Sequence, residues 1–133
     1  MGWADGGRVG VDVEVERDLP DMEAVARRSF HPDEFGRVMA EEGAERTAAF
    51  FRVWSRKEAF IKAVGLGLAY PLDGFVVSAE ASPATTLLVV DDPAEPSDGW
   101  LLRSVAWEAG LGAAVAWDRP EGRIRWRSLA DLA

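Results

Sequence analysis

Phe50-Phe51-Arg52-Val53-Trp54-Ser55-Arg56-Lys57-Glu58-Ala59-Phe60-Ile61-Lys62-Ala63-Val64 is the stretch whose reading decides the fold. Its spacing predicts a long helix, from about Ala44 to Val64. Gly65 and Gly67 follow, with Pro71 beyond, which is how a helix stops. Phe50, Val53, Trp54, Ile61 and Val64 make the segment too apolar for a solvated surface helix. Trp54, Glu58 and Lys62 recur at i, i+4 and i+8, so they share one stripe. A carboxylate and an ammonium beside a core-facing stripe are paired, bound to a metal, or functional. Of the fifteen basic residues only Lys57 and Lys62 are lysines, and both lie on this helix. Lysine is a compact point charge with a tunable pKa, so a chemical reason for the choice is open, as is chance with only two lysines.

Outward from the helix, the sequence alternates. Val9, Val11, Val13 and Val15 interleave with Gly10, Asp12, Glu14 and Glu16, predicting a strand with the valines buried and the acids outside. A short helix from Asp21 through Arg28 turns Met22, Val25 and Ala26 inward. A second begins at Ser29-Phe30-His31-Pro32-Asp33-Glu34 and runs to about Gly43, with Pro32 in the first turn and His31 as a helix-start residue. The rest reads as strands: Gly74–Glu80, Thr85–Val90, Trp100–Glu108, Gly112–Asp118 and Arg123–Arg127. Gly2-Trp3-Ala4 reads as a hairpin stub, and Ser128–Leu132 as a terminal helical turn. The expected class is α+β: a mostly antiparallel sheet packed on one long helix plus two shorter helices, one domain over residues 1–133.

Composition narrows the function. The net charge of −8 argues against a general nucleic-acid binder, although a local basic patch remains open. With no cysteine and one histidine, neither a disulfide nor a multi-His zinc site is expected. No apolar run approaches a membrane span and the N-terminus lacks the pattern of a signal peptide, so a cytoplasmic protein is expected.

Asp12 and Glu14 share one face of the first strand. If Glu58 faces them, three carboxylates converge, and they repel unless a cation neutralises them. An oxygen-only set suits Mg²⁺, which keeps positions open for phosphate oxygens, and Lys57 and Lys62 would add positive charge. The bland alternative stays open: acids on a solvated strand face, and Glu58–Lys62 as an ordinary helix pair worth ~0.2–0.5 kcal/mol.

Val9-Gly10-Val11-Asp12-Val13-Glu14 together with Trp54-Ser55-Arg56-Lys57-Glu58-Ala59-Phe60-Ile61-Lys62 resembles the signature pair of the 4'-phosphopantetheinyl transferases. Arg28-Ser29-Phe30-His31-Pro32-Asp33-Glu34 and Pro71-Leu72-Asp73-Gly74-Phe75 are similar to that family's intervening and following segments. The resemblance is closest to the C-terminal half of the long, pseudo-dimeric (Sfp-type) branch. It implies Mg²⁺-dependent transfer of 4'-phosphopantetheine from coenzyme A to a serine of an acyl or peptidyl carrier protein, releasing 3',5'-ADP. Such chemistry serves fatty acid, polyketide or nonribosomal peptide biosynthesis.

By resemblance, Asp12, Glu14 and Glu58 are the metal ligands and Glu58 and Lys62 the catalytic residues; Lys57, from its charge beside the acids, and Lys62 are the expected contacts to coenzyme A. Arg27, Arg28 and Arg37 are candidates for docking the acidic carrier protein. The long branch's first half, with its basic nucleotide-binding residues, has no counterpart here. A homo-oligomer (dimer or trimer) or a complementary subunit is therefore expected to complete the site. The alternative is a non-catalytic or partner-dependent half-domain that binds a carrier protein or such a subunit.

Overall fold

The chain order is β1 (Val9–Val15), α1 (Met22–Ser29), α2 (Pro32–Met39), α3 (Gly43–Val64), β2 (Phe75–Val77), β3 (Leu87–Val90), β4 (Leu101–Ser104) and β5 (Leu111–Trp117), with a 3-10 turn at Ser97–Gly99. It comes from a computed structural model that describes residues 7–65, 70–83, 85–105 and 109–124. The expected hairpin stub at Gly2–Ala4 and helical turn at Ser128–Leu132 lie outside these residues. So do 106–108 of the fourth expected strand and 125–127 of the last; Arg123 and Ile124 are not in a strand. Among the described residues no helix is long and apolar enough to cross a membrane.

Two antiparallel sheets form, as the α+β reading expects. One is three-stranded in the order β1-β5-β4, and the other is the β2–β3 ribbon. Helix α3 lies across the first sheet, and its apolar residues Phe50, Phe51, Val53, Ala59, Phe60 and Ile61 build the core. Gly65 ends it with φ +83°, a left-handed conformation that favours glycine, and its amide returns to the Ile61 carbonyl at 3.0 Å. His31 starts α2 as expected. Its ring accepts the Asp33 amide at 3.1 Å, and the Glu34 carboxylate accepts the His31 amide at 2.8 Å. Trp54 packs the long helix in place, stacked 6.0 Å from Phe50.

The first strand overturns one expectation. The face carrying Gly10, Asp12 and Glu14 points toward α3, and the valines point away. Val13 and Val15 are 45% and 60% exposed, whereas Asp12 is 5% exposed. Size, not polarity, chooses the face. The helix backbone comes so close that a side chain at Gly10 would collide with the Ala59 carbonyl and meet the Ala63 amide at 2.5 Å. Gly10, Asp12 and Glu14 pair across β5 with Ala116, Ala114 and Gly112. A side chain at Gly112 would in turn meet the Phe51 carbonyl at 3.0 Å. At Gly10 and Gly112 no side chain fits under the helix, so that side of β1 faces α3, Asp12 and Glu14 come with it, and the valines go outside.

Arg56 ties the two sheets together. It is fully buried, and its Nε donates to Ser104 Oγ at 2.7 Å on β4. One terminal nitrogen reaches the Ser78 and Glu80 carbonyls beyond β2, at 2.6 and 2.8 Å. Burial, with Arg52 nearby, pushes its pKa down to about 10, so it stays charged at neutral pH.

Gly10→Ala is expected to destabilise the fold by about 2 kcal/mol or more, the scale of overpacking a tight contact. Val15→Thr on the exposed face should stay within about 0.5 kcal/mol of wild type. Chemical denaturation of both variants checks the order; equal costs would contradict it.

Candidate active site

Because β1 turns its acids inward, two carboxylates meet two charges from α3. Lys62 Nζ donates to Asp12 Oδ1 at 2.7 Å. The other Asp12 oxygen is buried and has no hydrogen-bond partner. Such an orphaned acceptor costs about 1–3 kcal/mol unless something else fills the position.

The surrounding acids feel the crowding. Burial pushes Glu14 up from the ordinary carboxylate range, the charge of Asp12 and a hydrogen bond that a protonated Glu14 can make to it push it further, and Glu58 adds a little, against Arg17. Burial likewise raises Glu58, with Asp12 adding and Lys62 opposing. The hydrogen bond to Asp12 raises Lys62, assisted by Glu58 and Glu14. The structure thus brings Asp12, Glu14, Glu58 and Lys62 within mutual electrostatic reach. Three acids against one ammonium leave a place where further positive charge is favoured.

Among the described residues no three acidic or histidine side chains are set at metal-holding distances. Lys62 takes one of the Asp12 oxygens in this arrangement. The donor chemistry nevertheless fits a hard divalent cation, since every donor is a carboxylate oxygen and Asp12 Oδ2 is unsatisfied. A groove between α2 and the β2–β3 ribbon, lined by Asp33, Arg37, Ser78, Thr85 and Leu88 among others, contains none of these four residues.

Lys57 is elsewhere. Expected at the coenzyme A phosphates, it is completely buried and points to α2 and β2 rather than to β1. Its Nζ donates to Glu34 Oε2 at 2.8 Å and to the Phe75 carbonyl at 2.6 Å, and it lies 3.9 Å from the centre of the Phe75 ring. With its ammonium enclosed this way, Lys57 does not reach a ligand on the Glu58 side. Burial pushes Lys57 down and Glu34 up, while each partner's charge opposes the shift.

Two residues that sequence reasoning passed over belong in this description. Glu34 reads in the sequence as part of the α2 start, yet it is buried and is the partner of Lys57. Arg17 follows β1, stacks its guanidinium 5.1 Å from the Phe51 ring, and is the cation that partly offsets Glu14. Its position just past the acidic strand was the available signal.

A family model for the 4'-phosphopantetheinyl transferase superfamily matches residues 8–116, which include all four clustered residues. The chain belongs to that superfamily. It is 35% identical over 94 residues to the 4'-phosphopantetheinyl transferase psf-1 of Bacillus pumilus, spanning 71% of this chain and 40% of that protein. It is 38% identical over 67 residues to the transferase Sfp of Bacillus subtilis, spanning 50% of this chain and 30% of that one. A phosphopantetheinyl transferase of Thraustochytrium matches 93% of the chain at 28% identity, over 48% of its own length. The chain thus spans less than half the length of each of these relatives.

Among solved structures, the holo-[acyl-carrier-protein] synthase of Thermotoga maritima superposes with a TM-score of 0.60 at 20% identity, over 83% of this chain and 61% of that one. The apo-ACPS structure from Chronobacterium ammoiniagenes gives 0.56 at 20% identity, over 84% and 95%. These two likenesses establish the shared fold. The superfamily is established; a place in the Sfp-type branch within it goes beyond what these partial matches show.

The raised carboxylates have a consequence for stability. Glu14 and Glu58 hold a proton more tightly folded than unfolded, so their contribution falls as pH rises through their raised values. Glu58→Gln removes one of the repelling charges. Its thermal midpoint at neutral pH is expected to equal or exceed that of wild type. A fall of several degrees would show that Glu58 stabilises the fold.

Proposed function

We propose that the protein transfers 4'-phosphopantetheine from coenzyme A to a serine of an acyl or peptidyl carrier protein, as a cytoplasmic holo-[acyl-carrier-protein] synthase. The observation that carries this reading is the cluster of Asp12, Glu14 and Glu58 beside Lys62, with the Asp12 Oδ2 unsatisfied. In the reaction, the carrier serine Oγ forms a bond to the β-phosphorus of the coenzyme A diphosphate. The bond from that phosphorus to the 3',5'-ADP oxygen breaks.

Glu58 takes the serine proton, directly or through one water. Its raised pKa, caused by burial and the charge of Asp12, makes it a stronger base than an ordinary carboxylate. Lys62 is half-exposed on a flexible stem, so its ammonium is available to the diphosphate and to the charge that grows on the departing 3',5'-ADP. Asp12, Glu14 and Glu58 would hold Mg²⁺, which when bound neutralises the diphosphate oxygens. Lys57 has no part in holding coenzyme A, because its ammonium is enclosed.

The acidic carrier protein meets basic side chains of α1 and α2. Arg28 and Arg37 are exposed, while Arg27 pairs with Glu23 at 3.1 Å and lies over Phe35. A second copy in a dimer or trimer, or a complementary subunit, supplies the remaining nucleotide contacts. A partner-dependent or non-catalytic half-domain is the second reading. It is favoured by one fact: the three sequence relatives named above are each more than twice the length that this chain spans in them.

Incubating the protein with coenzyme A, Mg²⁺ and apo carrier proteins should add the mass of one phosphopantetheine to a carrier. Glu58→Gln should slow that transfer by about 100-fold or more, the scale of losing a general base. No mass gain on any of several carriers, together with no coenzyme A binding by calorimetry, favours the second reading. An unaffected Glu58→Gln rate removes Glu58 from the chemistry.

A further inference from the structure

The Lys57–Glu34 pair and Arg56 are buried charges packed in the core around α3 that the proposed chemistry does not use. Both oxygens of Glu34 are engaged. Oε1 accepts the His31 amide at 2.8 Å, and Oε2 accepts Lys57 Nζ and the Val77 amide, each at 2.8 Å. Lys57 also reaches the Phe75 carbonyl at 2.6 Å. One point therefore joins the start of α2, the middle of α3 and both ends of β2. Glu34 and Lys57 are 1% and 0% exposed.

Stability alone is a weak reason for such a pair, since apolar residues of similar volume often serve a core as well or better. Direction is what the pair adds. On the sheet side α3 rests closely on Gly10, Gly112, Ala114 and Ala116, which offer no side-chain hydrogen bonds; its bonds there are Arg56 to Ser104 and the half-exposed Lys62 to Asp12 of the site itself. That floor sets how near the helix lies and leaves much of its rotation about its own axis to be fixed elsewhere. Successive residues on a helix point about 100° apart. Holding Lys57 toward α2 and β2 therefore turns Glu58 toward β1, and four residues on it brings Lys62 to Asp12.

We infer that Lys57 and Glu34 are positioning residues: their buried ion pair fixes the rotation of α3 and so aims Glu58 and Lys62 at the acids of β1. This rests on the reading of that cluster as the active site. Arg56 grips the same side of the helix through the carbonyls of Ser78 and Glu80 and so assists. It lacks the link to α2 that the Lys57–Glu34 pair supplies.

The chain's two lysines give a direct readout. Lysine labelled with ¹³C at Cε yields one resonance from the core and one from the site. In the double variant Glu34→Gln, Lys57→Met, which leaves no lone buried charge, only Lys62 remains. Positioning requires that its resonance move toward that of free lysine as the contact with Asp12 loosens. It also requires that kcat for transfer fall about 10- to 100-fold, the cost of a small misplacement. KM for coenzyme A should stay within about twofold, since neither residue touches the substrate.

A folded double variant with an unmoved Lys62 resonance and a wild-type kcat overturns the inference and leaves the pair a purely structural one. If the double variant does not fold, Glu34→Gln alone is read the same way, with the core resonance assigned by its burial. If the wild-type protein transfers nothing, the proposed function has failed, and the Lys62 resonance still decides the positioning role.

Discussion

The near contact between the backbone of α3 and the strands beneath it governs much of this molecule. Gly10 sits against the Ala59 carbonyl and Gly112 against that of Phe51, at separations where a larger residue would not fit. Ala114 and Ala116 complete the same floor. This closeness decides which way β1 faces. It also carries Asp12 and Glu14, which share Gly10's side of the strand, to the underside of a helix that brings Glu58 and Lys62. The polar cluster is thus a consequence of the tightest packing in the fold.

Charges buried by that packing have been sorted into two kinds. Arg56 and Lys57 are fully enclosed, and each is satisfied by several acceptors. On the β1 side the balance is incomplete: acids outnumber the one ammonium, two of them are raised, and an Asp12 oxygen has no partner. A satisfied network rigidifies, whereas an unsatisfied one is a place where a ligand is stabilised on arrival. The two adjacent residues Lys57 and Glu58 stand on either side of that division, one holding the helix and the other facing the cluster.

Much of this was legible in the sequence, for local reasons. Helix α3, its glycine stop and the His31 start of α2 depend on residues within a turn or two of each other. The convergence of Asp12, Glu14 and Glu58 followed from a family resemblance that the match over residues 8–116 supports at the level of the superfamily. The orientation of β1 was not legible, because alternation reveals two faces without saying which is inside; a contact too close for valine reversed the usual choice. Nor was the division of labour between the lysines. Lys57 and Lys62 look alike in a helical pattern, and the partner that buries Lys57 lies 23 residues away in another helix.

The central claim is that the inward acids of β1 and Glu58 of α3 form one cation site. Mn²⁺ binding followed by electron paramagnetic resonance, with Mg²⁺ as competitor, tests it without requiring turnover. Wild-type protein should bind Mn²⁺ at a site from which Mg²⁺ displaces it, and Asp12→Asn should lose that site while keeping the wild-type melting behaviour. Equal Mn²⁺ binding by wild type and folded Asp12→Asn would contradict the account.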